Sequence, residues 1–202
     1  KKSFSKCYQS GPLSFEYFID NHKVITNCGF GNKISKKGIL VSKLTSAQST
    51  LCLNDSSVTK FERNNLINKA FGSSIKSSFK VFDVHDKEDI NFLFVSAKHD
   101  AYQKKKFYTH ERKITINKKN GDLSGEDILV SDKNKKKFDT TYSIRFHLYP
   151  GINAVQTIDR NSILIRIEKN KSLIFTAKGE NISLEKSIFL GRNQIINNSC
   201  IT

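Results

Sequence analysis

Apolar and polar residues alternate with a period of two along most of this chain, and that period belongs to β-strands. Leu13-Ser-Phe-Glu-Tyr-Phe-Ile19 has it, Asp20-Asn21-His22 turns, and Lys23-Val-Ile-Thr26 returns. A loop is expected from Gly29 through Gly38, then a strand over Gln48–Leu53 ended by Asn54-Asp55-Ser-Ser57. Residues 60–77 are polar and are read as a loop or a short helical turn. Phe79–Val84 and Asn91–Ala97 are strands around an acidic turn. Phe107–Ile116 and Asp122–Val130 flank Asn120-Gly121, a strong hairpin signal. Tyr142–Leu148 follows, closed by Pro150-Gly151. Ala154–Ile158, Ser162–Glu168, Ser172–Ala177 and Asn181–Phe189 then recur at intervals of roughly ten residues, the spacing of a sandwich or barrel. The expected fold is all-β, a large antiparallel sandwich of two sheets with little helix.

The chain has 202 residues with two prolines, and no low-complexity linker divides it. One domain over 1–202 is therefore expected. No apolar run approaches the ~18 residues of a membrane span. The chain starts at Lys1 and contains no Met, so a fragment of a longer protein is expected. Cys7, Cys28, Cys52 and Cys200 show no metal-binding spacing and are read as free thiols.

Lys and Arg number 34 against 19 Asp and Glu, a formal charge of +15. Such a field favours polyanionic partners. Lys, Asn and Ile are abundant together, so much of the charge is read as composition on solvated faces. Lys104–Lys106 and Lys133–Lys137 fall in a loop and a hairpin tip. No recognition helix, zinc finger or aromatic ribonucleoprotein signature accompanies them, so nucleic acid is a minor hypothesis.

His99-Asp100-Ala101-Tyr102 is the strongest polar constellation. An Asp beside a His fixes its tautomer, and a Tyr gives or takes a proton, so His99 and Tyr102 are the candidate catalytic pair. The competing reading is a capped structural turn. His110 and Arg112 share one strand face, where a cross-strand polar pair is expected. Arg145 and His147 share another. Arg112, Arg145 and His147 are the candidate contacts for a carboxylated sugar, because Arg grips carboxylates bidentately. His22 and His85 are expected in exposed turns. The acidic pairs Asp83/Asp86 and Glu126/Asp127 are read as turn or strand-end residues. Gly29-Phe-Gly31-Asn32 lacks the strand and helix context of a phosphate loop.

Seven segments in order resemble the C-terminal domain of heparinase II/III-like proteins. They are Gly11-Pro-Leu-Ser-Phe-Glu16, Asn27-Cys-Gly29, Ser46-Ala-Gln-Ser-Thr-Leu51, His99-Asp-Ala-Tyr102, His110-Glu-Arg112, Gly121-Asp-Leu-Ser-Gly-Glu-Asp127 and Arg145-Phe-His-Leu-Tyr-Pro-Gly151. The resemblance implies an N-terminal α/α toroid in the same protein and β-elimination of acidic polysaccharide. It implies that most reacting groups lie on the toroid, with one His from the sandwich, and that the sandwich can hold a structural zinc. By family alone, a bacterial envelope or periplasmic location follows. This chain departs from the pattern. Gln9, Asn27 and Gln48 stand where metal ligands are expected, and Cys7 stands near the position of the sandwich His. Carboxamides are poor zinc ligands, so no metal and no cofactor are expected. Instead the three amides are predicted to hydrogen-bond one another in a metal-free cluster that ties their segments together. Cys7 and Cys52 would lie near that cluster, which leaves a disulfide between them open. The fragment alone is expected to be inactive. A non-catalytic carbohydrate-binding or scaffold domain with a degenerate site is the alternative, and a nucleic-acid-binding β domain a weaker one.

Overall fold

The computed structural model describes residues 8–31, 34–61, 79–131, 140–191 and 193–202. The readings of Cys7, of residues 62–77 and of Lys133–Lys137 lie outside the described residues. The fold is all-β, and every ladder between its named strands is antiparallel. Among the described residues, no helix is long and apolar enough to cross a membrane.

The strands are β1 (Tyr17–Ile19), β2 (His22–Thr26), β3 (Leu51–Leu53), β4 (Val81–Glu88), β5 (Phe92–His99), β6 (Tyr108–Asn117) and β7 (Leu123–Ser131). Then come β8 (Tyr142–Ile144), β9 (Phe146–Leu148), β10 (Asn153–Gln156), β11 (Ser162–Glu168), β12 (Lys171–Thr176), β13 (Leu184–Gly191) and β14 (Gln194–Ile201). They form ladders ordered β1-β2-β9-β14-β13, β4-β5-β6-β7, β10-β11-β12 and β3-β8.

Two turns set the strand registers. Asp20 and Asn21 both take left-handed φ, 44° and 66°, between the paired Ile19 and His22. Two such residues in succession make the tight primed turn whose twist suits a hairpin. Asn117 donates to the Asp122 carbonyl at 2.8 Å, so the β6–β7 loop holds four residues. Gly121 takes φ +75° there.

The predicted strand Tyr142–Leu148 is two strands. β8 pairs with β3, β9 pairs with β2 and β14, and Arg145 bridges the break with its amide on the Thr50 carbonyl. One run of sequence thus serves two ladders. β14 was not expected from the pattern, since its Asn197-Asn198-Ser199 interrupts any apolar alternation.

The segment read as a loop to Gly38 enters a helix, α1 (Lys36–Ser42), whose N-cap Ser35 accepts a bond from the Gly38 amide at 2.9 Å. Gly31 packs on Gly38 so closely that a Cβ there would lie 2.4 Å from the Gly38 carbonyl carbon. The Lys104–Lys106 loop is instead a single turn of helix, α2 (Gln103–Lys106).

The main core gathers Tyr17, Val24, Ile25, Leu148, Ile163, Ile165, Ile182 and Ile201. It joins the five-stranded ladder to β11. Burying each such aliphatic side chain contributes about 1.5–3 kcal/mol. A smaller cluster of Leu51, Leu53 and Tyr102 joins β3 to the base of the β4–β7 sheet.

Candidate functional site: a buried polar seam

The inner face of the β5–β6–β7 hairpins carries polar residues where an apolar row would be ordinary. Register places His99 opposite His110 and Arg112 opposite Asp127. Both His residues are wholly buried and Arg112 is 4% exposed. His99 Nε2 lies 2.9 Å from His110 Nδ1, and His110 Nε2 lies 2.6 Å from Asp127 Oδ1. Arg112 grips Asp127 with Nε on Oδ1 at 2.8 Å and Nη2 on Oδ2 at 2.9 Å. Its Nη1 donates to the carbonyls of Leu13 and Ser49 at 3.0 and 2.8 Å. The guanidinium also lies over the rings of Phe15 and Phe146. One arginine therefore locks the four-stranded sheet to the segments around residues 13 and 49.

The tautomers follow from the ends of this chain. The Ala101 amide donates to His99 Nδ1 at 3.2 Å, so that nitrogen is an acceptor. His99 Nε2 then carries the hydrogen and donates to His110 Nδ1. His110 Nε2 in turn donates to the Asp127 carboxylate. A proton added to His99 would set its Nδ1 against the Ala101 amide, so that ring is neutral. Burial, reinforced by the Arg112 charge, pushes the His99 pKa down to about 3. Burial opposes ionisation of Asp127, but the His110 bond and the Arg112 charge outweigh it and hold its carboxyl below the usual range.

Tyr102 is buried and donates its hydroxyl to the Leu51 carbonyl at 2.7 Å. Burial raises its pKa, so the phenol stays protonated. Neither His99 nor Tyr102 reaches the surface of this chain, which places the expected catalytic pair inside the protein rather than along a cleft.

The amide positions form a second polar node. Gln9 donates to the carbonyls of Gly29 and Ser42 at 2.7 and 2.9 Å, and Gln48 donates to the same Ser42 carbonyl at 2.8 Å. Asn27 Oδ1 accepts the Ser49 amide at 2.8 Å. The three segments are tied together, but through shared backbone groups rather than amide to amide. Gln9 and Gln48 both spend their NH₂ groups on carbonyls. That donor set does not fit zinc, which takes Cys, His and carboxylate. Among the described residues, no three His, Cys, Asp or Glu side chains gather as a metal-holding group. Cys28, Cys52 and Cys200 are free and buried. Burial raises the Cys28 and Cys200 thiols to about 12 and about 11, so they stay protonated.

His147 and Arg145 do not converge on a common ligand. His147 is 4% exposed and bonds Ser46 O through Nε2 and Ser187 Oγ through Nδ1, both at 3.0 Å. Burial lowers its pKa and keeps it neutral. Arg145 turns instead to Ser143 at 2.6 Å and to Asp55 at 3.2 Å. Arg112 is enclosed by Asp127 and two carbonyls. His22 is half-exposed beside Glu168, and His85 is exposed on β4.

Asp127 and Ser49 complete these nodes, and the sequence reading missed both. Ser49 donates to the Thr26 carbonyl, and its Oγ accepts the His147 amide at 2.9 Å. The signal for Asp127 lies in the hairpin itself, since counting back from the turn sets it on the same face as Arg112.

A family model described as Heparinase II/III-like, C-terminal, matches residues 2–201. No curated protein and no solved structure matches the chain.

Proposed function

Because the chain belongs to the heparinase II/III-like family, as its C-terminal domain, we propose that it is the supporting sandwich of a protein that acts on acidic polysaccharide. In this reading the protein cleaves by β-elimination. The reacting groups reside on an N-terminal α/α toroid, and this domain braces the cleft and contributes glycan contacts. One observation carries the supporting role. The polar residues of the family-like segments, His99, Tyr102, His110, Arg112 and His147, are buried and bonded within the chain. A group that donates inward to a carbonyl is not poised for a substrate.

A second reading is favoured by Gln9, Asn27 and Gln48, whose amides stand where the resemblance implies metal ligands. In that reading the whole protein binds glycan without cutting it.

The test uses the full-length protein and a panel of acidic polysaccharides, with ultraviolet absorbance of unsaturated uronides as the readout. Cleavage is expected from the full-length protein and not from this chain alone. Product released by this chain alone would sink the supporting role. Binding by the full-length protein without product would establish the second reading. Tyr102→Phe in the full-length protein separates structural from catalytic use. Loss of a structural bond costs about 1 kcal/mol of stability and leaves turnover near its starting value. Loss of a general acid lowers turnover by roughly 10²–10⁴-fold.

A further inference from the structure

An open groove of about 450 Å³ lies outside the seam, walled by Phe18, Tyr149 and Ile167 and edged by Asn21, His22 and Lys23. Phe18 and Lys23 are partners across β1–β2, held by the tight Asp20-Asn21 turn. Phe18 is 53% exposed. Tyr149 is braced edge-on by Phe189 at 5.6 Å. Lys23 Nζ sits 5.0 Å from the Phe18 ring centre and 5.7 Å from that of Tyr149. It also bonds Glu16 at 2.8 Å, and His22 bonds Glu168 at 2.7 Å.

We propose that this groove is a subsite for one anionic sugar unit of a polysaccharide. The inference rests on the acidic-glycan reading above. A pyranose ring has a flat face of C–H bonds, which matches a half-exposed aromatic wall, while its rim of hydroxyls needs polar partners. Asn21 and His22 supply such partners at the edge. The position of Lys23 decides the charge. Its ammonium already occupies the space between the two rings, where a cationic ligand would otherwise bind, so a second cation is repelled. One of the three Lys23 N–H groups is on Glu16, and the others are left to donate to a ligand carboxylate. Of the nearby carboxylates, Glu16 is already bonded to Lys23 and Glu168 to His22. The groove and the amide node stand at opposite ends of β2, from His22 to Asn27, roughly 17 Å apart along the strand. A polymer held there is gripped away from the node, as a second point of attachment that raises overall affinity.

The experiment is calorimetric titration of the full chain with size-fractionated polygalacturonate, hyaluronan and chondroitin sulfate, with dextran as the uncharged control. At least one anionic polymer is expected to bind more tightly than dextran. Phe18→Ala and Phe18→Leu are each expected to weaken that binding at least tenfold with an unchanged melting temperature. Lys23→Gln is expected to weaken it and to flatten its salt dependence. Binding unaffected by the Phe18 variants would overturn the groove and leave the acidic-glycan reading standing. Failure to bind any anionic polymer, or equal binding of dextran, would overturn both.

Discussion

Arg112–Asp127 and Lys113–Glu126 are consecutive rungs of the β6–β7 ladder, and each is an ion pair across the strands. Their closest separations are nearly the same, 2.8 and 3.0 Å. They differ in what surrounds them. The first pair has side chains 4% and 8% exposed, the second 37% and 61%. Outside, water replaces whatever partner is lost, and the pair contributes little. Inside, each charge has already lost its water, and only the full set of bonds to His110, Leu13 and Ser49 makes it tolerable. The alternation of one hairpin thus separates a contact that specifies the fold from one that decorates it.

Asp127 is where the loss of a partner is felt most. Asp127→Ala strands a buried guanidinium and the His110 donor, and urea denaturation is expected to show a loss of about 3–5 kcal/mol. A loss comparable to that at Glu126 would break the contrast. Acid is the next largest lever. His99 stays neutral in the folded protein down to about 3, whereas an unfolded His titrates near about 6.5. Between these values the unfolded chain binds more protons, so stability falls as pH falls. The expected loss is on the order of 3 kcal/mol from pH 7 to pH 4. His147, also held neutral by burial, acts in the same direction. Asp127 adds to the loss at lower pH, because its depressed pKa gives stability present above about 4 and lost as pH falls through the folded value. His99→Gln should flatten the part of this slope that His99 supplies, and an unchanged slope would move the acid sensitivity elsewhere. The smallest effect is expected on the outer rung. Glu126→Ala should cost less than about 1 kcal/mol, and nothing at about 1 M salt, where screening acts within ~3 Å.

Much of the fold was legible because a strand writes its burial directly into alternate positions. Phe107–Ile116 and the return after Asn120-Gly121 were readable for that reason. β14 was not, because its asparagines interrupt the apolar rhythm while the backbone still pairs with β9 and β13. Helix α1 hid behind Gly38, a poor helix former against whose backbone Gly31 packs. At the seam, His99, His110 and Arg112 drew notice by residue type, and their faces followed from parity. Asp127 looked like a strand-end residue because its partner depends on loop length. A two-residue turn at Asn120-Gly121 would set Leu129 opposite Arg112. The observed loop, two residues longer, sets Asp127 there and leaves every face unchanged. The amide positions were visible only through the resemblance, and their use of backbone carbonyls is written in no local pattern.

The chain from the Ala101 amide through two imidazoles to Asp127 has a direction, since every hydrogen along it points toward the carboxylate. That direction restricts the vocabulary available at position 99. The residue there must offer an acceptor close to its own backbone and a donor further out, both without charge. Asn supplies the first and Gln the second, and neither supplies both. Histidine satisfies the two together in one rigid ring, so position 99 calls for an imidazole on grounds of wiring, independently of any proton transfer.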